Sequence, residues 1–275
     1  MIAPLDWQAA LFVPVGADRH LASAIRLRPD AVILDLEDAI APEAKGAARA
    51  ALRQAQEELF RAGIDCALRV NGALRAMVDD LAAADLSQLR AVMVPKCEDV
   101  RALRNAAELT GGRTALIALI ESPAGLRRLP AIASVPEVQA LMLGSEDYSA
   151  SLGVNPDRGA LDFVAAELAI AASPRGLLPI GFPGSIANFR DLDLYAAQIA
   201  RGRDLGMRSV AAIHPAQLPV IRATLAPTPA EIDWAEKVLA KVAAEGAVFA
   251  MDGAMVDAPV IARARQIAAA ARRAG

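Results

Sequence analysis

The chain has 275 residues, 55% of them hydrophobic and 22% charged, with a formal net charge of −3 at pH 7. This length accommodates one α/β barrel or two small domains with a substantial core, and the apolar composition argues against an intrinsically disordered chain. The small negative charge offers no electrostatic basis for binding nucleic acid or an anionic membrane, so we expect neither partner.

The N-terminus and the cysteines indicate a soluble, cytoplasmic protein. Met1 is not followed by a basic region and a long apolar stretch, so no signal peptide is predicted. No apolar run reaches the ~18 residues needed to span a bilayer. Cys66 and Cys97 lie in or beside predicted strands, and we expect both to be reduced, buried thiols.

Eight apolar segments alternate with helical patterns along the chain. Most are continuous apolar runs, which are typical of parallel strands buried on both faces. The predicted strands are Ala10–Pro14, Ala31–Glu37, Cys66–Asn71, Ala91–Lys96, Ala115–Glu121, Ala140–Gly144, Leu178–Gly181 and Ser209–His214. The predicted helices between them are Arg19–Arg28, Pro42–Ala62, Met77–Ala84, Val100–Leu109, Leu126–Ala133, Ala160–Ala172 and Leu192–Leu205. This alternation predicts an α/β fold, a (β/α)₈ TIM barrel over residues 1–225, with an open doubly wound sheet as the alternative.

The remaining segment, residues 226–275, exceeds what a barrel needs. Glu231–Ala244 has the pattern of an amphipathic helix, a loop with Gly and Pro residues follows, and Val260–Arg273 predicts a second helix. We expect this C-terminal helical extension to be an extra cap or an arm that reaches a neighbouring subunit.

Three predicted strands lead into acidic residues. Glu121 ends the fifth strand, Asp147 follows the sixth, and Glu37 and Asp38 form an acidic pair at the end of the second. Sites in barrels lie at the carboxyl ends of the strands, so these side chains are expected to face one mouth. Our central hypothesis is that Glu121 and Asp147 hold a divalent cation, Mg²⁺ or Mn²⁺, together with water and substrate oxygens. The alternative is that both acids cap helices or pair with arginine; the adjacent Glu146 is expected to point away and to be structural.

An arginine within a strand suggests a contact with substrate. Arg69 lies in the third predicted strand, where a buried guanidinium without partners would be costly. It is expected either to grip a substrate carboxylate or carbonyl oxygen or to form a structural ion pair. Glu37 and Asp38 are expected to hydrogen-bond water around the cation, with a salt bridge to Arg69 or Lys45 as the alternative.

Two further basic residues end predicted strands. Lys96, after the fourth, would need a strongly depressed pKa to form a Schiff base, so we expect an ordinary ammonium. His214, after the eighth, could be a general base, but a role in fixing its loop by hydrogen bonds is favoured. Residues 181–185 follow the seventh strand, where barrels often bind phosphate, but they form a weak motif.

A series of short motifs runs along nearly the whole chain. They are Leu11-Phe12-Val13-Pro14, Leu34-Asp35-Leu36-Glu37-Asp38-Ala39 with Pro42, Lys45, Ala48 and Arg49, Arg69-Val70-Asn71, Val94-Pro95-Lys96, Ile120-Glu121-Ser122, Gly144-Ser145-Glu146-Asp147, Ile213-His214-Pro215-Ala216-Gln217 and Asp252-Gly253-Ala254-Met255-Val256-Asp257-Ala258-Pro259. In this order and combination, the motifs resemble those of the citrate lyase β-subunit/malyl-CoA lyase family of HpcH/HpaI aldolases.

The resemblance implies a TIM barrel, assembly as homotrimers or hexamers, and Mg²⁺-dependent cleavage or formation of a carbon–carbon bond in acyl-CoA substrates. It implies that Glu121 and Asp147 ligate the metal and that Arg69 binds substrate oxygens. It further implies that Asp257 acts as an acid or base in the active site of an adjacent subunit, which would give the C-terminal extension its purpose.

The resemblance also implies the kind of reaction. We expect a lyase of a 3-hydroxyacyl-CoA of the malyl-CoA or citramalyl-CoA type, giving acetyl-CoA and a 2-oxo acid, and we nominate Arg19, Arg26 and Lys45 to contact the CoA phosphates. Ser122 stands where the family usually has Thr, and an acid common after the seventh strand is absent from 179–183. These departures leave open a metal-dependent aldolase or decarboxylase of free 2-oxo acids, a thioester hydrolase, and a non-catalytic CoA-ester-binding subunit.

Overall fold

The computed structural model of the protein describes residues 2–246 and 248–274. The chain forms two compact units that divide between Ile221 and Arg222. Within the described ranges, no helix is long and apolar enough to cross a membrane. Both cysteines are free and buried, and burial raises the pKa of the Cys66 and Cys97 thiols to about 12, so neither is a reactive thiolate.

The first unit is built on eight parallel strands. They are β1 (Ala9–Pro14), β2 (Ala31–Asp35), β3 (Asp65–Arg69), β4 (Ala91–Val94), β5 (Ala115–Ile120), β6 (Val138–Leu143), β7 (Leu178–Ile180) and β8 (Val210–Ala212). From β1 to β7, each strand pairs with the next in sequence, and β1 also pairs with β8. All eight predicted strands are confirmed, although all except β1 end one or two residues earlier than the apolar runs indicated.

The sheet closes between β7 and β8. Ile180 forms a parallel bridge with Ser209, and the Gly181 N–H donates to the Ser209 carbonyl at 2.8 Å. One residue earlier, the Arg208 N–H donates to the Pro179 carbonyl at 3.1 Å. The architecture is therefore a near-closed barrel, which confirms the TIM-barrel prediction and rules out the open doubly wound sheet.

The interior of the barrel explains the continuous apolar runs. Ala31 and Ile33 of β2 share one buried cluster with inward residues of the other strands, such as Ile117 of β5. The alternate residues, such as Val32 and Leu116, are also fully buried. Strands buried on both faces read as unbroken apolar sequence rather than as an alternating pattern.

The helices that surround the barrel follow the predicted alternation. They are α1 (Asp18–Leu27), α2 (Lys45–Ala62), α3 (Leu74–Ala83), α4 (Arg101–Leu109), α5 (Pro123–Leu126), α6 (Leu129–Ala133), α7 (Ser145–Leu152), α8 (Asp162–Ala172), α9 (Leu192–Asp204) and α10 (Gln217–Leu225). Short 3₁₀ turns add Pro42–Ala44, Leu86–Gln88, Pro156–Arg158 and Ser173–Arg175. The helices α7 and α10 were not predicted, and the predicted helix Leu126–Ala133 covers α6 but only the last residue of α5.

The second unit is a helical hairpin with a small sheet at its turn. It contains α11 (Pro229–Glu245), β9 (Phe249–Met251), β10 (Ala254–Val256) and α12 (Ala258–Ala274). The loop predicted between the helices is wrong here, because β9 and β10 pair antiparallel. Asp252 and Gly253 join them with φ of +51° and +79°, the left-handed pair that a two-residue hairpin turn needs.

Candidate active site

A cavity of about 330 Å³ opens at the carboxyl ends of the barrel strands. This volume lies in the range of small-molecule sites. The charged residues that line it are Asp35, Asp38, Arg69, Glu121, Glu146 and Asp147. The acids from β2, β5 and β6 therefore face one mouth, as the barrel prediction required.

Glu121 and Asp147 lie side by side in this cavity. Glu121 directly follows β5, is 6% exposed, and accepts a hydrogen bond at Oε2 from the Lys96 backbone N–H at 2.6 Å. Burial raises the pKa of Glu121 to about 8, and a hydrogen bond with Asp147 and its charge add to the rise. Asp147 lies in the first turn of α7, where the helix dipole favours a negative side chain.

Gly144 makes room for Glu121. A Cβ atom at this position would lie 2.4 Å from Cγ of Glu121, a distance that real contacts do not show. The Gly144 N–H donates to the Ile120 carbonyl at 3.0 Å, which keeps the end of β6 against the end of β5. In the Gly-Ser-Glu-Asp motif, Gly144 therefore leaves space for the Glu121 carboxylate, and Asp147 supplies the second carboxylate.

The two carboxylates suit Mg²⁺. Within the part of the chain that the structure describes, no group of three or more His, Cys, Asp or Glu side chains could hold a metal ion. Mg²⁺ is usually bound by only one or two carboxylates and keeps several waters or substrate oxygens. Glu121 is buried with a raised pKa and lies beside the exposed carboxylate of Asp147, and a divalent cation relieves this repulsion between like charges.

Arg69 is held by the acids at the end of β2. Its Nε and Nη2 donate to the two carboxylate oxygens of Asp35 at 2.8 and 2.6 Å, and Nη1 lies 3.1 Å from Glu37. Its guanidinium lies 5.2 Å from the centre of the Phe12 ring. Burial opposes the charge, but Asp35 outweighs it, so the pKa of Arg69 is raised and the guanidinium stays charged. Asp35, the last residue of β2, was not predicted as a partner of Arg69, although it stands two residues before Glu37.

Lys96 joins the two acidic clusters. It adopts the left-handed region with φ of +51°, which is unusual for a residue with a side chain. Its backbone N–H reaches Glu121, while its Nζ donates to Glu37 Oε1 at 2.8 Å and lies 3.7 Å from Asp38. The hydrogen bond to Glu37 raises the pKa of Lys96, so it is an ordinary ammonium as expected. Burial raises the pKa of Glu37. Burial would also raise the pKa of Asp38, but its contacts with Glu37, Lys96 and Arg69 outweigh burial and lower it.

The three cations predicted to contact the CoA phosphates have different surroundings: two are exposed on α1, and the third is hydrogen-bonded within the protein. Arg19 is exposed in the first turn of α1, and Arg26 is exposed in the last turn, about 10 Å further along the helix axis. Lys45 donates to the carbonyls of Leu36 and Glu37 at 2.9 and 3.1 Å and to Asn71 at 2.5 Å. These three bonds use all the donors of the Lys45 ammonium, so the salt bridge from Lys45 to the Glu37 side chain is not formed. The phosphate role of all three cations stays a prediction.

Three more residues of the sequence analysis have clear surroundings. Glu146 lies on α7, not on a continuing strand, and its Oε1 accepts from Ser185 Oγ at 2.6 Å. The Nδ1 atom of His214 accepts from the Ala216 N–H at 3.1 Å, which fixes the loop after β8 as expected. Asp257 directly follows β10 in the second unit, where its carbonyl accepts from the Ile261 N–H at 2.9 Å. Its role in catalysis stays a prediction.

The comparisons identify the family. Residues 8–215 match the model of the HpcH/HpaI aldolase/citrate lyase family, so the chain belongs to this family of aldolases and lyases. It is 32% identical to a citrate lyase subunit beta-like protein of Deinococcus radiodurans, over 96% of this chain and 97% of that protein. It is also 32% identical to a (3S)-malyl-CoA thioesterase of Cereibacter sphaeroides, over 96% of this chain and 94% of the relative.

A solved structure supports the same assignment. The fold is similar to that of the protein CitE from Mycobacterium tuberculosis in complex with magnesium, acetoacetate and coenzyme A. The TM-score is 0.81 and the identity is 30%, over 99% of this chain and 100% of that chain.

Proposed function

We propose that this protein is a Mg²⁺-dependent carbon–carbon lyase acting on a 3-hydroxyacyl-CoA of the malyl-CoA or citramalyl-CoA type. In one direction it would release acetyl-CoA and a 2-oxo acid, and in the other it would join them. The observation that carries the proposal is the pair of Glu121 and Asp147 beside Arg69 in a cavity of small-molecule size. The relatives named above, one of which was crystallised with magnesium and coenzyme A, support the choice of substrate class.

Glu121 and Asp147 would hold the metal ion. When bound there, Mg²⁺ would supply Lewis-acid polarisation of a substrate oxygen and orient the 2-oxo acid portion. Mn²⁺ takes the same oxygen ligands and is an alternative. The Lys96 N–H fixes one oxygen of Glu121, and a bound cation would replace the hydrogen bond between Glu121 and Asp147.

Arg69, Glu37 and Asp38 would orient substrate and water. Arg69 is charged, 13% exposed, and lines the cavity, so it can stabilise negative charge on a substrate carboxylate or carbonyl oxygen. Its carboxylate partners keep the guanidinium in one orientation, which is the condition for pre-organised binding. Glu37 and Asp38 would accept hydrogen bonds from water at the mouth of the cavity.

Asp257 would move the proton. In cleavage, a base removes the hydroxyl proton, the carbon–carbon bond breaks, and its electron pair leaves with acetyl-CoA as an enolate that is then protonated at carbon. In condensation, Asp257 would remove a proton from the carbon next to the thioester. We place this residue on an arm, residues 226–275, that reaches a neighbouring subunit of a homotrimer or hexamer, and we propose that Arg19, Arg26 and Lys45 face the CoA phosphates.

A product assay tests this proposal. Malyl-CoA, methylmalyl-CoA, citramalyl-CoA and free 2-oxo acids are each incubated with the protein in Mg²⁺ and in EDTA. The 2-oxo acid and the acyl-CoA product are measured, which is propionyl-CoA from methylmalyl-CoA and acetyl-CoA from the other two esters. Metal-dependent release of both products from one CoA ester is expected. Activity on the free acids alone would instead indicate an aldolase or decarboxylase of 2-oxo acids. Binding of CoA esters without turnover in a metal-loaded sample would indicate a binding subunit.

Thioester hydrolysis is the second candidate, because one relative is a (3S)-malyl-CoA thioesterase. Hydrolysis releases free CoA and an intact hydroxy acid, whereas lyase cleavage releases acetyl-CoA and no free thiol. Measuring the thiol in the same reactions separates the two activities. Free thiol and malate without acetyl-CoA would replace the lyase proposal with the hydrolase.

A further inference from the structure

The cavity at the mouth of the barrel combines a charged surface with an apolar one. Arg69 is the sole cation among the described residues that line it, and it is already bonded to Asp35 and Glu37. Lys96 lies nearby but donates to Glu37 and is not part of the lining. The apolar lining consists of Phe12, Leu119, Met142, Leu143, Ile186 and Ile213, with Pro14 and Ala39 at its edges.

Two isoleucines of this lining are incompletely packed. Ile213 directly follows β8 and keeps 44% of its surface exposed, although it lies at the cavity rather than on the outside of the barrel. Ile186 is half-buried in the loop after β7 and lines the same cavity. A ligand that covers exposed apolar surface inside a binding cavity binds more tightly, because removing this surface from water is favourable.

A single buried side chain holds both isoleucines. Gln217 is fully buried, and its Oε1 accepts from the backbone N–H groups of Ile213 and His214 at 2.9 and 3.0 Å. Its Nε2 donates to the carbonyls of Ile186 at 2.9 Å and Asn188 at 3.3 Å. The amide thus uses both donors and both acceptor positions to tie the loop after β7 to the end of β8. Because all hydrogen-bonding positions of this buried amide are occupied, it holds the apolar wall formed by Ile186 and Ile213 in place before substrate binds.

We infer that Ile186 and Ile213, held by Gln217, select a 2-oxo acid with one carboxylate and a short alkyl group over a dicarboxylate. The inference rests on the proposed function, in which Mg²⁺ and Arg69 bind the 2-oxo carboxylate that both kinds of acid carry. A methyl or ethyl group would cover the two isoleucines. Mg²⁺ and Arg69 would already bind the 2-oxo carboxylate end, so a second carboxylate would meet apolar side chains and acids. An unpaired charge in such a place is costly.

Two ligands that differ at one end test this selectivity. 2-Oxobutyrate ends in a methyl group where oxaloacetate ends in a carboxylate. Their binding to the Mg²⁺-loaded protein is measured by calorimetry, and their condensation with acetyl-CoA is measured as kcat/KM. Oxaloacetate is expected to be weaker in both measurements by at least roughly 100-fold, as for other buried groups left without a partner. Equal or tighter binding of oxaloacetate would overturn the inference.

Substitution of Ile213 separates charge from size. Ile213→Lys adds a cation to the apolar wall, and Ile213→Met adds an unbranched side chain of similar length without charge. The lysine variant is expected to shift the preference toward oxaloacetate by at least about 10-fold, since it pairs the second carboxylate. The methionine variant should keep the preference of the unsubstituted protein. The same ratio of kcat/KM for the two acids in both variants would show that Ile213 does not contact the distal group of the 2-oxo acid.

Gln217 is a positioning residue in this scheme, and Gln217→Met tests it. The ratio of kcat/KM for 2-oxobutyrate over glyoxylate is expected to fall toward one, because a methylene in a well-formed apolar pocket is worth about 10- to 200-fold. Mg²⁺ affinity should not change. If the folded variant lost rate equally with both acids, Gln217 would have only a structural role.

The outcomes also separate this inference from the proposed function. If the 2-oxo acids bind in the expected order but no bond forms with acetyl-CoA, the lyase proposal fails and the selectivity stands. If oxaloacetate is the fastest substrate in a metal-dependent condensation, the lyase proposal stands and the selectivity fails.

Discussion

At the scale of single residues, Glu121 shows how its neighbours control one carboxylate. The Lys96 N–H binds one of its oxygens, Gly144 leaves space for its Cγ, and Asp147 lies beside it. The sequence predicts the two acids because apolar strands end in them. It does not predict the contacts of Lys96 or Gly144, because these depend on the register between β4, β5 and β6.

The raised pKa of Glu121 predicts a pH-dependent response to Mg²⁺. Its ordinary pKa is 4.5 and its folded value is about 8. A raised pKa stabilises the metal-free protein fully below the ordinary value, and this contribution is lost as the pH rises through about 8. Mg²⁺ needs the deprotonated carboxylate, so its affinity rises over the same interval. The Tm difference between Mg²⁺ and EDTA samples is therefore expected to grow between about pH 5 and pH 9.

Glu121→Gln is the control for this titration. The variant should show almost no Mg²⁺-induced change in Tm, and its metal-free stability should not fall as the pH passes through about 8. A wild-type response to Mg²⁺ of equal size at both ends of the pH range would contradict the assignment of Glu121 as a metal ligand.

A substitution of Gly144 tests the space that Glu121 needs. In Gly144→Ala, the new Cβ would meet the Glu121 side chain and move its carboxylate. The Mg²⁺ affinity is expected to fall by about 10- to 100-fold, measured by calorimetry. The matched control is Gly46→Ala in α2, where no atom lies within 4 Å of the new Cβ. This control should raise the free energy of unfolding by about 0.5–1 kcal/mol and leave metal binding unchanged, and equal losses of affinity in both variants would be inconsistent with the packing argument.

At the scale of secondary structure, patterns that depend on burial were predictable and local turns were less so. All eight strands follow from apolar runs, because both of their faces are buried. The helix α7 was not predicted because it is short and consists mainly of small and polar residues, with no apolar stripe at the helical period. The hairpin of β9 and β10 carried a readable signal, since Asp252-Gly253 is a favoured two-residue turn.

The loop after β4 offers a test of how one element supports another. In Lys96→Met, the backbone N–H to Glu121 is kept and the ammonium that pairs with Glu37 is lost. Burial then acts on Glu37 with less compensation, so its pKa is expected to rise further. The acidic limb of the kcat/KM profile should move to higher pH, while Mg²⁺ affinity changes little. An unmoved pH profile would show that Glu37 does not control the reaction.

At the scale of the whole molecule, the barrel brings together acids that lie far apart in the chain. Asp38, Glu121 and Asp147 converge because each follows a strand whose carboxyl end opens on the same mouth. This much could be predicted from strand-end chemistry alone. The ion pair of Arg69 with Asp35 and the binding of Lys45 by three oxygens could not, because side-chain partners across strands are set by packing rather than by sequence pattern.

The proposed sharing of active sites between subunits predicts complementation. Asp257→Asn and Glu121→Gln are each expected to reduce turnover by at least roughly 100-fold, with Asp257→Asn keeping its Mg²⁺ affinity. If Asp257 acts on a neighbouring subunit, co-expression of the two variants should restore roughly a quarter of the wild-type activity, since each subunit type is in place half the time. No recovery in a mixed oligomer would place Asp257 and Glu121 in the same subunit's site or remove Asp257 from catalysis.

The most direct test of the account is mass spectrometry of the products formed from citramalyl-CoA and malyl-CoA by the wild-type protein and by Glu121→Gln. With Mg²⁺, the wild-type protein should give acetyl-CoA and a 2-oxo acid in equal amounts, and EDTA or the substitution should abolish both. Free CoA with an intact hydroxy acid, or cleavage that persists in EDTA, would contradict a carbon–carbon lyase built on Glu121 and Asp147.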